Sequence, residues 1–82
     1  MDVESGMRLV ASLATNPPAT FAGYEVTSVE TLDGTKLGFA DESWLLFRQS
    51  GTEPVLRIYA EATSLEKMNT LLDKGERLAQ SR

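Results

Sequence analysis

Two apolar runs rich in strand-forming residues, Trp44 to Arg48 and Val55 to Ala62, are separated only by Gln49-Ser50-Gly51-Thr52-Glu53-Pro54. That spacing makes them the arms of one hairpin with a solvent-accessible polar loop at its tip. Alternation within each arm places Leu45, Phe47, Leu56 and Ile58 on one sheet face and Trp44, Leu46 and Tyr59 on the other. Arg57 shares its strand face with Tyr59 and Glu61. If helices cover only the Leu45 face, the Trp44 face forms an exposed apolar strip of the kind that marks an interface; a core wrapped around both faces would remove it.

A second hairpin precedes the first. Tyr24 to Leu32 has strand composition, although Val26 and Val29 fall on opposite faces unless a bulge intervenes. Asp33-Gly34 is a strong hairpin signal and feeds Thr35, Leu37 and Phe39 onto one face of the next strand. Ala40-Asp41-Glu42-Ser43 makes the turn into Trp44.

Helical periodicity flanks the strands. From Asp2, a candidate N-cap, to about Ala14, the residues Val3, Met7, Val10 and Ala14 recur at helical spacing, joined by Leu9 and Leu13. Thr15-Asn16-Pro17-Pro18-Ala19-Thr20 stops this helix, and a surface connection follows through Gly23. Thr63-Ser64-Leu65-Glu66 has capping-box spacing, with Thr63 as the cap and Glu66 as its reciprocal partner. The helix behind it runs to about Gln80 on a stripe of Leu65, Met68, Leu72 and Ala79, beside Leu71 and Leu78. Gly75 interrupts that stripe, either for close approach to a strand or as simple tolerance.

The order α-β-β-β-β-α predicts an α+β fold, a four-stranded antiparallel sheet with two helices packed on one face. The 82 residues are expected to form a single domain, 1–82, with one core and modest stability. No internal repeat or low-complexity tract is present.

Composition narrows the chemistry. A net charge of −4 with scattered basic residues speaks against nucleic acid as a partner. The absence of cysteine and histidine excludes a disulfide scaffold, a thiol nucleophile, a zinc site of the usual ligands and a histidine base. No apolar run approaches a membrane span and no signal-like leader is visible, so a cytoplasmic setting without membrane attachment is expected.

What remains is the hairpin loop, and its chemistry suits an anion. Arg48 brings a planar, permanently charged fork able to meet two phosphate oxygens at once. Ser50 and Thr52 bring hydroxyls, and Gly51 lets the backbone turn so that consecutive N–H groups can converge as a nest. Pro54 pushes Glu53 toward an extended conformation, predicting a straight exit into the next strand. The competing reading is a self-satisfied polar turn, with Arg48 in a salt bridge to Glu53 or Glu61. Arg57 either adds a second positive charge behind the anion or pairs with Glu61. Glu53 is expected to shape the loop, since a carboxylate beside a dianion opposes binding.

The string from Ser43 through Phe47-Arg48-Gln49-Ser50-Gly51-Thr52-Glu53-Pro54 to Glu61, with the upstream hairpin Thr31-Leu32-Asp33-Gly34-Thr35-Lys36-Leu37, resembles the C-terminal domain of the α-D-phosphohexomutases. That family includes phosphoglucomutase/phosphomannomutase and phosphoglucosamine mutase, and the resemblance extends more loosely over most of the chain. It implies a TATA-binding-protein-like topology and a loop that grips the substrate phosphate through Arg48, Ser50, Gly51 and Thr52, with Arg57 matching an arginine that contacts phosphate in some relatives. It also implies a part of an isomerase that moves phosphate between the 1- and 6-positions of a hexose through a phosphoserine and a bisphosphate intermediate. Magnesium assists in such a complete enzyme.

The departures carry equal weight. No counterpart of the family's phosphoserine loop, Asp-rich metal loop or sugar-recognition loop is present, so this domain is expected to hold no catalytic residue and no cofactor, and to be inactive alone. Its expected partners are a phosphorylated hexose and other domains of the same enzyme. Gln49 stands where glucose and mannose mutases often have proline and glucosamine mutases often have lysine, while Leu56-Arg57-Ile58-Tyr59-Ala60-Glu61 leans toward the glucose/mannose branch. The alternative from another class is a free-standing, non-catalytic module that binds phosphorylated metabolites or a protein partner.

Overall fold

The structure, a computed structural model, describes residues 3–80. Asp2, expected to cap the first helix, lies outside the described residues. The elements run α1 (Val3–Thr15), β1 (Thr20–Phe21), β2 (Tyr24–Glu30), β3 (Thr35–Phe39), β4 (Trp44–Gln49), β5 (Leu56–Glu61) and α2 (Leu65–Gln80). The strands form one antiparallel meander in the order β1-β2-β3-β4-β5.

The α+β class and both helices are as expected, but the sheet has five strands where four were anticipated. The added strand, β1, is two residues long and turns back through Ala22 and Gly23, whose φ values of 55° and 86° are both left-handed. A two-residue turn with positive φ at both positions matches the twist of an antiparallel pair. Phe21 of β1 then meets Phe47 of β4 edge-on at 6.3 Å, so the sheet curls to bring its first strand over a distant one. The meander establishes this connectivity; it does not establish the TATA-binding-protein-like topology.

The hairpin before β3 also differs. Strand β2 ends at Glu30, leaving the four-residue connection Thr31-Leu32-Asp33-Gly34 instead of a two-residue Asp-Gly turn. Only Gly34 in that connection takes a positive φ, 118°, so the paired left-handed geometry of the tight turn is absent. The bulge is present at Thr27: Val26 pairs with Phe39 and Ser28 with Gly38, leaving Thr27 unopposed. This extra residue brings Val26 and Val29 onto the same packed side.

The core is Leu9, Leu13, Leu37, Phe39, Leu45, Phe47 and Leu71. Both helices cover the face that carries Leu45, Phe47 and Ile58, as alternation predicted. Their buried stripes are rotated from expectation. In α1 the inward residues are Gly6, Leu9 and Leu13, while Met7 is 59% exposed. In α2 they are Lys67, Leu71 and Gly75, while Leu65 is 69% exposed. Gly75 is a point of close approach between α2 and the sheet: a Cβ there would lie 3.3 Å from Ile58 and 3.5 Å from Leu45 and Phe47. The buried Thr35 hydroxyl donates to the Val10 carbonyl at 2.7 Å and ties α1 to β3.

The cap of α2 is Ser64, whose hydroxyl accepts from the Lys67 N–H at 3.1 Å; the expected cap, Thr63, is one residue too early. Thr63 instead donates its hydroxyl to the Asp41 carboxylate at 3.2 Å. The same carboxylate oxygen takes the buried Lys67 ammonium at 2.7 Å. That ammonium also lies 4.1 Å from the Tyr24 ring centroid and 5.4 Å from that of Phe39. A buried cation with one close carboxylate and two aromatic faces is paired as burial demands. Lys67, and then Ser43, hold the Asp41 carboxyl well below the usual carboxylate range.

Two outcomes follow. Gly75→Val drives methyls into Ile58, Leu45 and Phe47 and is expected to cost about 1–3 kcal/mol, read from urea unfolding. The depressed Asp41 pKa means that the tether stabilises the fold above the ordinary carboxylate pKa of about 3.9 and is lost as pH falls through the lower folded-state value. In melting curves across that acid range, Asp41→Asn should remove this component and leave a lower melting temperature at neutral pH.

Candidate functional site

The pairing of β4 with β5 decides what the loop presents. Phe47 pairs with Ile58 beneath the helices, and the next pair along is Arg48 with Arg57. Alternation therefore puts both arginines on the open face of the sheet, directly opposite one another and both exposed. Like charges facing across an antiparallel pair repel. Neither guanidinium makes a salt bridge among the described residues; the alternative pairings of Arg48 with Glu53 or Glu61, and of Arg57 with Glu61, are not formed. The geometry leaves two unneutralised positive charges beside the loop, an arrangement that an incoming dianion would relieve.

Further along the open face, Leu46 pairs with Tyr59 and Trp44 with Glu61. The apolar strip is interrupted there. Lys36 lies 4.6 Å from the Trp44 ring centroid, Trp44 and Leu46 are half-buried, and Tyr59 is 41% exposed.

The loop is closed by the Ser50 N–H donating to the Val55 carbonyl at 3.0 Å. Its interior differs from the expected open nest. The Thr52 and Glu53 N–H groups converge, but on the Ser50 hydroxyl oxygen, at 3.3 and 3.2 Å. Gly51 takes no left-handed φ, is exposed, and has open space where a Cβ would stand. Its N–H and the Thr52 hydroxyl have no partner among the described residues. The Ser50 hydroxyl thus holds the position where two backbone donors meet and keeps its own proton to donate.

The exit is bent where a straight one was expected. The Val55 N–H donates back to the Glu53 carbonyl at 2.7 Å, closing a three-residue turn around Pro54 before β5 begins at Leu56. The fixed φ of proline is close to that of an inverse γ-turn, which accounts for the bend. Glu53 shapes the loop through its backbone, as expected: its N–H, through the Ser50 hydroxyl, and its carbonyl are both engaged.

Gly34 supports the site from the side. A Cβ there would strike the Phe47 carbonyl and crowd the Arg48 Cα at 3.2 Å, so the β2–β3 connection presses on the root of the arginine. Beside it, a groove bounded by Met7, Val10, Ala11, Ala14 and Leu32 runs up to Arg48 and Gln49. Sequence reasoning missed Gln49, whose carboxamide nitrogen donates to the Ser50 and Glu53 carbonyls at 3.3 and 3.2 Å. The usable signal was the inward alternation Leu45, Phe47, Gln49, which sends a polar side chain beneath the loop. No group of three or more His, Cys, Asp or Glu side chains among the described residues could hold a metal ion. No helix among the described residues is long and apolar enough to cross a membrane.

Fold and loop together define a small α+β domain that presents a cationic hairpin tip. Residues 9–77 match the family model of the phosphoglucomutase/phosphomannomutase C-terminal domain, and the chain belongs to that family. It is 48% identical over 56 residues to a phosphoglucomutase/phosphomannomutase of Thermococcus kodakarensis, covering 68% of this chain and 11% of that protein. A probable phosphoglucosamine mutase of Methanosphaera stadtmanae is 45% identical over 47 residues, covering 57% of this chain and 10% of that protein. Another from Pyrococcus furiosus is 36% identical over 72 residues, or 88% of this chain and 14% of that protein. The chain thus spans about a tenth of the length of the first two relatives.

The facing arginines carry a direct consequence for the unliganded domain. Arg57→Gln should raise stability by about 0.2–1 kcal/mol at low ionic strength by removing the repulsion. The gain should shrink in high salt, where the charges are already screened, and paired denaturant titrations at the two ionic strengths read both effects.

Proposed function

We propose that this chain is the substrate-phosphate-binding domain of a phosphohexomutase, with Arg48, Ser50, Gly51, Thr52 and Arg57 as the phosphate-binding residues. The observation that carries the reading is the facing Arg48–Arg57 pair, which like the donors of the adjoining loop has no partner among the described residues, in a chain of this family. The complete enzyme would be an isomerase of carbohydrate metabolism working by intramolecular phosphotransfer. It would interconvert hexose 1-phosphate and hexose 6-phosphate through a phosphoserine and a bisphosphate, with the catalytic residues outside this chain and the isolated domain inactive.

The domain's part is positional. Arg48 offers a bidentate fork to the phosphate that is not reacting, Arg57 adds charge from the neighbouring strand, and the Gly51 N–H and the Ser50 and Thr52 hydroxyls donate to the remaining oxygens. Binding energy gathered at this remote phosphate fixes the reacting end and favours closure of the cleft formed with other domains of the same enzyme. Magnesium, when bound elsewhere in the complete enzyme, would assist phosphoryl transfer. Relatives of both sugar classes match this chain, which supports the phosphohexose class and leaves the sugar unassigned. The setting proposed is cytoplasmic, without nucleic acid or membrane partners.

Titrating the isotope-labelled chain with hexose 1-phosphate or hexose 6-phosphate should move amide resonances centred on residues 48–52. Shifts confined to Trp44 and Tyr59 on adding a partner domain would favour a protein-interaction module instead. In the complete enzyme Arg48→Lys should weaken phosphosugar binding by about 1–3 kcal/mol, because an ammonium cannot reproduce the fork. Unchanged affinity, measured calorimetrically, would remove Arg48 from the site.

A further inference from the structure

We propose that Gln49 is the positioning residue of the anion loop, a carboxamide brace held between α1 and the back of the loop that aims the Gly51 N–H at the ligand. The inference rests on the phosphate-binding reading above for the ligand, but its mechanics stand on the geometry of the unliganded chain.

Gln49 follows Leu45 and Phe47 on the helix-covered side of β4, so its side chain enters the layer between sheet and α1. There its amide nitrogen donates to the carbonyls of Ser50 and Glu53. Both acceptors are carbonyls, which fixes which end of the carboxamide faces the loop, since its oxygen has no proton to give them. In a trans peptide unit the carbonyl of one residue and the N–H of the next point in opposite directions. Drawing the Ser50 carbonyl back toward Gln49 therefore turns the Gly51 N–H outward, and that donor has no partner among the described residues. Holding the Glu53 carbonyl draws the far side of the loop to the same anchor.

The other end of the brace explains a glycine near the start of α1. The Gln49 carboxamide oxygen is buried without a hydrogen-bond partner and occupies the place where a Cβ at position 6 would stand. Gly6 is itself buried on the inward face of α1. Helix interiors disfavour glycine relative to alanine, so Gly6 makes sense here as the seat of the Gln49 side chain. Helix, carboxamide and loop form one mechanical chain.

The test is a cycle on the 82-residue chain with Gly6→Ala, Gln49→Ala and the double variant, together with Gln49→Glu, whose carboxylate repels the two carbonyls. Gly6→Ala alone evicts the carboxamide and should lower the melting temperature; in the Gln49→Ala background the seat is empty, and the same change should raise it. Gln49→Glu should increase the backbone mobility of residues 50–55 in nitrogen relaxation without ligand. With Arg48 intact, it should weaken inorganic phosphate binding, followed at the Gly51 amide, roughly tenfold, the scale of two ordinary hydrogen bonds. An increase in melting temperature from Gly6→Ala in both backgrounds, or an unchanged loop in Gln49→Glu, overturns the brace. If the parent chain shows no phosphate-dependent shift at residues 48–52, the ligand reading fails separately, and the melting cycle and loop mobility still decide the mechanics.

Discussion

The register of β4 against β5 is the constraint from which the rest of the molecule follows. Phe47 is fully buried and pairs with Ile58, while α2 presses Gly75 onto both side chains and onto Leu45. A slip of β4 by one residue would carry Phe47 to solvent and Arg48 into the core, so apolar burial fixes the register. With Phe47 committed inward, Arg48 must face outward and Gln49 inward again. The hydrophobic effect thereby sets where charge and carboxamide sit around the loop, though neither gains from it.

The loop built on that register combines tightness with incomplete satisfaction. Its closing bonds, from Ser50 to Val55 and across Pro54, are between backbone groups and hold the path of the chain. The donors that converge within it meet the Ser50 hydroxyl, whose oxygen stands where a stronger acceptor, such as an anionic oxygen, could make a charge-assisted bond. The overall charge of −4 opposes an approaching anion at long range, so attraction must be local. Two guanidiniums on adjacent strands supply it within the distance over which salt screens exposed charges.

Much of this was legible from pattern because the decisive runs are short-range. Leu45, Phe47 and Ile58 alternate cleanly, Thr35, Leu37 and Phe39 do the same, and the displaced phases of Val26 and Val29 betrayed the bulge at Thr27. The misses have physical causes. In α1, Val3-Met7-Val10-Ala14 and Leu9-Leu13 both satisfy helical spacing, and only the position of the sheet chooses Gly6, Leu9 and Leu13. Strand β1 was hidden because Ala22, at φ 55°, occupies a turn position that asparagine or glycine would have advertised. Thr63 and Ser64 are equally good caps by composition, and the choice falls to Asp41, 22 residues away, which takes the Thr63 hydroxyl. At the site, the residues that carry charge could be named in advance, whereas Gln49 depends on a contact with a helix more than forty positions earlier.

The two ends of β4 divide the labour. At its start, Asp41, Ser43, Thr63 and Lys67 join the β3–β4 turn to the first turn of α2, with the Lys67 ammonium enclosed by aromatic rings and a carboxylate. At its end lies the loop, with a Gly51 N–H, a Thr52 hydroxyl and two arginines that find no hydrogen-bond or salt-bridge partner among the described residues. A hairpin with both ends so loosely satisfied would fray, because exposed backbone and facing like charges offer little resistance to opening. The buried tether clamps one end, and Gly75 locks the middle beneath α2. The hairpin can then keep its tip under-satisfied, and those unmet donors and charges are the resource on which anion recognition would draw.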